Sequence, residues 1–313
     1  MCGISSPFMI IIFGPTGVGK SAFAVELGRH IPAEIINADI GQLYTPLTIG
    51  TAKPAWRSEE IPHHMFDLID EPRNYTVKEY RSTIYPLLHE IWQRGNIPII
   101  VGGSGFYLHA LLFPPQAGPT ADEDAIPADW DLLHRIDPVR AKNIHTHDAY
   151  RIKRALSIWF ATGIAPSHWK RPYQPPAPYL LIQLTRDRAQ LYEQINARTI
   201  TMLAEGWLDE CRSLYGTEWE LFVRKKKLIG YSELFDYVAG IKSFEDAIAT
   251  IQQKTRNYAK RQETFGAFLS RTIRQSAASN NQRRETVEQV NLTSTDPHLY
   301  INQLLKNIHA VIA

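Results

Sequence analysis

At 313 residues the chain has room for two domains, or for one domain carrying a large insertion. Hydrophobic residues make up 44% and charged residues 21%, which supports a packed globular core, and no apolar run approaches the roughly 20 residues that span a bilayer. Two cysteines far apart, Cys2 and Cys211, suit neither a disulfide framework nor a structural zinc site, so a cytoplasmic protein with no membrane partner is expected.

The opening MCGISSPFMIIIFGPTG lacks a basic start, and its apolar run ends in a glycine-rich loop. It therefore reads as a buried strand over residues 8–13 rather than a signal peptide. A helix is expected from SAFAVELGRH, a second strand over residues 34–39, and an amphipathic helix in YTVKEYRSTIYPLLHEIWQRG that stops near Gly95. IPIIVGGSGFY reads as a third strand running into a glycine turn. Strand–loop–helix repeated in this way predicts an α/β fold, a P-loop NTPase-like parallel sheet flanked by helices. The composition breaks at Pro114, where PPQAGPTADEDAIPADW reads as a linker, helical patterns occupy about residues 129–169, and KRPYQPPAPY closes them. YLLIQL over residues 179–184 is another core strand. Residues 115–178 are thus expected to be a helical insertion domain within a core made of 1–114 and 179–313. Helices are expected from Arg188 to about Ile273, then a polar loop in SAASNNQRRE, and VNLTS with a last helix ends the chain.

The net charge of +2 conceals an asymmetry. Between Ile251 and Gln275 lie Lys254, Arg256, Lys260, Arg261, Arg271 and Arg274 against the single acid Glu263. Such a stretch suits a phosphate backbone, or forms a solvated helix face.

Gly14, Pro15, Thr16, Gly17, Val18, Gly19, Lys20 and Ser21 fit G-x-x-x-x-G-K-[ST] between a strand and a helix. The backbone N–H groups of such a loop favour a polyphosphate, Lys20 places an ammonium on it, and Ser21 offers a hydroxyl to Mg²⁺. The motif does not distinguish a diphosphate from a triphosphate. Asp39 ends the second strand, where open α/β sheets collect ligands. Its carboxylate there can hold a metal, take a proton, or cap a turn. Gly102-Gly103-Ser104-Gly105 reads as a turn that lets backbone approach a ligand, with Ser104 adding a hydroxyl. His63 and His64 lack evident partners and read as capping or packing residues.

In order along the chain stand GPTGVGKS, NADIGQLYTPLTIGTAKP, HHMFDLIDEPRNYTVKEYR, PIIVGGSGFYLHALL, DPVRAKNIHTHDAYRIKRALSIWFATG, LIGYSELFDYVAG and TRNYAKRQETF. Together they resemble the tRNA dimethylallyltransferase, or IPP transferase, family, from residue 11 to about residue 268. The resemblance implies dimethylallyl diphosphate at the phosphate loop, with Mg²⁺ as cofactor. It implies prenyl transfer to N6 of the adenosine 3′ of the anticodon, with Asp39, Lys20 and Ser104 catalytic. It implies tRNA contacts through Asp39, Ile40, Gly41, Gln42 and Ser104, and through Tyr150, Arg151, Ile152, Lys153 and Arg154 of the insertion. Further contacts would come from Lys226, Lys227, Gly230, Tyr231, Lys260, Arg261, Gln262 and Phe265, with Lys227 also reaching the diphosphate. Tyr231 and Phe265 read from the residues alone as core packing rather than as stacking platforms. A monomer is expected. The alternatives are prenylation of free AMP, ADP or ATP, and a P-loop nucleotide kinase. The chain departs from the family at Ile40-Gly41, where serine and arginine are usual, at Ser104 in place of threonine, in a short 116–137 segment, and at TFGAF.

Overall fold

The computed structural model describes residues 6–114, 125–169, 172–280 and 286–312. The first apolar run forms β1 (Met9–Phe13), buried at every position. There follow α1 (Lys20–Gly28), β2 (Ala33–Asn37), β3 (His63–His64), α2 (Val77–Gln93), β4 (Ile97–Gly102) and α3 (Gly105–Leu112). A helical stretch comes next, with α4 (Trp130–Ile136), α5 (Pro138–Ala141) and α6 (Ala149–Thr162). The chain continues with β5 (Tyr179–Thr185), α7 (Arg188–Ala204), α8 (Trp207–Leu214), α9 (Glu218–Lys226) and α10 (Tyr231–Val238). It ends with α11 (Phe244–Asn280), β6 (Thr286–Asn291) and α12 (Pro297–Ile312).

The strands pair in parallel in the order β3-β2-β4-β1-β5-β6. Parallel neighbours need crossover helices, and helices on both faces leave the middle strands without a wet side. That is why MIIIF is an unbroken apolar run. Ile10 lies between Ile99 and Leu180 in the ladder, and Ile10, Ile11 and Ile12 are all fully buried. Withdrawing each of these side chains from water contributes on the order of 2 kcal/mol. The α/β, P-loop-like sheet expected from the sequence is the fold the chain adopts.

The chain divides into two compact units, Met1–Leu111 with Pro175–Ala313, and Leu112–Gln174. The second is helical and packs around Leu133, Ala141, Ile144, Ile152, Ala155 and Leu156. An aspartate starts each of its helices: the side chains of Asp129, Asp137 and Asp148 accept from the N–H groups of Leu132, Arg140 and Arg151. Each cap satisfies a donor that the first helical turn leaves free. Part of the expected linker, residues 115–124, and residues 170 and 171 of the closing proline-rich segment lie outside the described residues.

Two elements differ from expectation. The histidine pair forms the edge strand β3, and its parallel pairing with β2 supplies a carboxylate: His64 Nε2 lies 2.6 Å from Glu34. Burial would push Glu34 up, but hydrogen bonds from Arg94, Asn96 and His64 outweigh it and hold the carboxyl at about 2. The polar stretch read as a loop after Ile273 instead begins as helix, because neither Gly nor Pro stops α11 before Asn280. Residues 281–285 of that stretch lie outside the described residues. Among the described residues, no helix is long and apolar enough to cross a membrane.

Candidate active site

β1 delivers the chain directly into the phosphate loop. Gly17 and Gly19 adopt φ of 81° and 105°, the left-handed region that glycine enters without strain. Gly19 then caps α1, whose first turn carries no acidic side chain, so the helix terminus keeps its positive field. Pro15 and Val18 are buried, and they serve the loop as packing and backbone. Lys20 Nζ donates to the Pro15 carbonyl at 2.9 Å. Ser21 is exposed at the start of α1 and lines the same cavity as Lys20 and Asp39.

Asp39 stands two residues beyond β2. Its N–H donates to Asn37 Oδ1 at 2.8 Å, and its Oδ1 accepts from Gly41 N–H at 3.1 Å. Burial pushes the Asp39 carboxyl up, against Lys20, the Gly41 N–H and Arg198. Burial likewise lowers Lys20 to about 8, with Asp39 opposing and Arg198 assisting. For both groups desolvation outweighs their mutual attraction, although each keeps some exposure in the structure. Two cations and one anion thus share a cavity of about 310 Å³, which leaves one positive charge for an incoming anion.

Arg198 was not anticipated. It projects from α7, and its Nη1 donates to Thr16 Oγ1 at 3.4 Å across 182 positions of sequence. Nothing in an ordinary amphipathic helix marks it; only the packing of α7 beside the loop does.

Asp39 and Arg198 also line a second cavity of about 460 Å³, together with Ile195, Met202, Trp207, Leu228 and Tyr258. Gly50, Thr51 and Ala52 roof it, within the segment from Thr45 to Lys53. Glu210 of α8 holds that segment: one oxygen accepts from the N–H groups of Thr48 and Ile49 at 3.0 and 2.7 Å. The other accepts from Gly50 N–H at 3.1 Å and from the Tyr231 hydroxyl at 2.7 Å. Lys53, buried, ties the far end to the carbonyl of Tyr44 and to the carboxylate of Asp67. Glu210 was also missed, since a lone acid on an exposed-looking helix carries no sequence signal.

A family model for IPP transferase matches residues 42–267, and one for isopentenyl transferase matches residues 8–62. The chain belongs to the IPP transferase family. A tRNA dimethylallyltransferase of Syntrophobacter fumaroxidans is 37% identical over 273 residues, covering 82% of this chain and 80% of the relative. The solved full-length tRNA isopentenylpyrophosphate transferase of Bacillus halodurans superposes with a TM-score of 0.67 at 31% identity, over 97% of this chain and 96% of that one. A eukaryotic dimethylallyltransferase acting on tRNA gives 0.75 at 27% identity, over 92% and 75%. The resemblance read from the ordered motifs is borne out.

Within this IPP transferase the residues named from sequence fall into different places. Asp39, Lys20, Ser21, Thr16, Gly17 and Gly19 converge on one cavity, and Ile40, Gly41, Lys226, Lys227 and Arg261 line the adjoining one. Ser104 Oγ accepts from Ile40 N–H at 3.2 Å, so it braces the backbone beside Asp39. Lys227 is exposed and ends α9 at φ 54°, while Lys226 lies over the Phe222 ring. In the helical unit Tyr150 and Arg151 are exposed, and Lys153 and Arg154 are half-buried.

Several of the residues expected to touch RNA have side chains that are already engaged. Ile152 is fully buried in the core of the helical unit. Tyr231 is 1% exposed, and its hydroxyl serves Glu210. Gly230 is buried with Trp207 against it, leaving no room for a Cβ. Gln42 Nε2 donates to the carbonyls of Thr51 and Ala52, both at 3.1 Å, and so braces the cavity wall. Gln262 is 4% exposed and bonded at both ends. Phe265 packs against Gly105 and edge-on to Phe13. The glycine turn after β4 therefore makes room for α11: a Cβ on Gly103 would stand 2.1 Å from Gln262 Nε2, and one on Gly105 2.1 Å from the Phe265 ring.

Proposed function

We propose that this chain transfers a dimethylallyl group from dimethylallyl diphosphate to N6 of the adenosine 3′ of the anticodon in tRNA. The observation that carries the reading is that Asp39 borders two adjoining cavities, one built by the phosphate loop and one roofed by Gly50, Thr51 and Ala52. A diphosphate in the first and a purine in the second would meet at that carboxylate. The N6 nitrogen attacks C1 of the allyl group, the C1–O bond breaks, and pyrophosphate departs. Asp39 accepts a hydrogen bond from the amino group and then its proton. Lys20 and Arg198 stabilise the charge that builds on the leaving group.

A divalent cation fits this donor set. Ser21 offers an exposed hydroxyl without a protein partner among the described residues, and Mg²⁺ commonly takes one or two protein ligands and completes its shell with phosphate oxygens and water. We assign Ser21 as the residue that would hold Mg²⁺, which would neutralise the diphosphate and improve it as a leaving group. The exposed bases Lys260 and Arg261 on α11, and Tyr150 and Arg151 on α6, are the surfaces we assign to the RNA. We further propose that the chain works as a monomer in the cytoplasm, where tRNA is found.

Incubation with radiolabelled dimethylallyl diphosphate and Mg²⁺, with unmodified tRNA and AMP offered in parallel, tests the reading. Label in tRNA at the anticodon-adjacent adenosine is expected. Label in AMP alone would transfer the assignment to a free-nucleotide enzyme.

A further inference from the structure

Gln262 sits in the basic stretch of α11, directly after Lys260 and Arg261, yet its side chain faces inward. Its Oε1 accepts from Thr16 N–H at 2.8 Å, and its Nε2 donates to the Gly103 carbonyl at 3.0 Å. One buried amide thereby joins the phosphate loop to the glycine turn after β4. We propose that Gln262 is a positioning residue for the diphosphate, setting the peptide that holds Lys20, and not a contact for RNA. The inference rests on the reading of the loop as a diphosphate site.

A single peptide unit carries both contacts. The Pro15 carbonyl and the Thr16 N–H belong to the same planar trans amide, so they point in opposite directions. The carbonyl accepts from Lys20 Nζ at 2.9 Å and from Val18 N–H at 3.3 Å. Gln262 secures the other end of that amide. Rotation of the unit would carry the carbonyl away from the ammonium and from Val18 together. The torsions that turn this unit are ψ of Pro15 and φ of Thr16, and beside these backbone bonds the Thr16 side chain is held only by the longer contact from Arg198 at 3.4 Å among the described residues. Gln262 itself cannot swing, since Gly103 gives it its berth and both of its polar ends are engaged in a dry site. The amide therefore holds the loop in the one arrangement where its remaining N–H groups and Lys20 converge on a ligand.

The test uses the full chain with Gln262→Met, which keeps the length and removes both hydrogen bonds. Gln262→Asn, which is too short to reach both partners, provides a second folded variant. Inorganic pyrophosphate binding is measured by calorimetry, tRNA binding by filter retention over a salt series, and both KM values by initial rates. Expected are a pyrophosphate Kd and a dimethylallyl diphosphate KM raised about tenfold, the factor that one buried hydrogen bond is worth. The tRNA Kd and its salt slope should stay at wild-type values. Lys260→Ala should show the reverse pattern, with weaker, less salt-dependent tRNA binding and unchanged pyrophosphate binding. Wild-type pyrophosphate affinity in both Gln262 variants, or a loss confined to tRNA, overturns the proposal while leaving the diphosphate site intact. Absence of pyrophosphate binding by the wild-type chain removes the diphosphate reading, and this proposal with it.

Discussion

Replacing Glu210 by alanine should damage both the stability of the fold and the site, and the size of the effect can be worked from its four hydrogen bonds. Two of the partners, Ile49 N–H at 2.7 Å and the hydroxyl of the buried Tyr231 at 2.7 Å, have little access to water. Hydrogen bonds to a charged acceptor contribute about 1.5–3 kcal/mol each when buried. Taking the lower end for these two, because Glu210 keeps some exposure, gives about 3 kcal/mol; the wetter Thr48 and Gly50 donors find water and add little. A unit of this size loses roughly 2–4 °C per kcal/mol, so the thermal midpoint should fall by about 6–12 °C. The roof segment it releases carries Thr51 and Ala52 into the cavities, so kcat/KM for prenyl transfer should drop at temperatures where the variant is folded. Glu210→Gln should lie between, because its amide nitrogen points a donor at N–H groups that are donors themselves. Differential scanning calorimetry with initial rates at 20 °C measures both. A midpoint within a degree of wild type, with full activity, would show that the roof is held by other contacts and that this arithmetic is wrong.

Three more predictions concern the cavity itself. Asp39→Asn should abolish turnover while preserving pyrophosphate binding in calorimetry; a rate within a few fold of wild type would remove the carboxylate from the chemistry. Lys20 stands at about 8 in the free protein, below its ordinary 10.5, so the unfolded chain binds a proton between those values that the folded chain lacks. Stability should therefore rise with pH over that window, and pyrophosphate affinity, which needs the ammonium, should hold below pH 8 and decline above it. Calorimetry from pH 6.5 to 9.5 checks this, and Lys20→Met should abolish the slope. Gly103→Ala places a methyl where Gln262 Nε2 lies, so it should reproduce the weakened pyrophosphate binding of the Gln262 variants; a neutral outcome would mean that α11 shifts without consequence.

The sheet was legible because its strands are buried on both faces and therefore unbroken in the sequence, and the phosphate loop because its glycines and lysine sit at fixed offsets. Asp39 was legible from its place after a strand. Arg198 and Glu210 were not, since their roles come from which helix packs against which loop, a property of tertiary structure with no local pattern. Gln262 shows the converse: it lies in a segment marked by the family motifs, and only the direction of its side chain shows that it faces inward, whereas Tyr231 was read as core packing and is buried. The glycine turn was read as clearance for a ligand; Gly102 borders the phosphate cavity, while Gly103 and Gly105 make room for α11.

These placements give α11 two separate tasks divided between its faces. Lys260 and Arg261 are exposed, while Gln262 and Phe265 reach the phosphate loop and the glycine turn from the same two turns of helix. The charge of Lys260 can be varied at little cost to the fold, whereas Arg261 lies over the Tyr258 ring at 5.6 Å and lines the second cavity. A change on the inner face acts on the phosphate loop, although its position in the sequence is next to the surface proposed for RNA. Two of the departures read from the sequence, Ile40-Gly41 beside Asp39 and TFGAF at the end of the basic motif, fall on or beside that inner surface: Ile40 N–H is braced by Ser104, and Phe265 is seated on Gly105. Their expected consequence is thus a change in how the donor site is braced, more than a loss of affinity for tRNA.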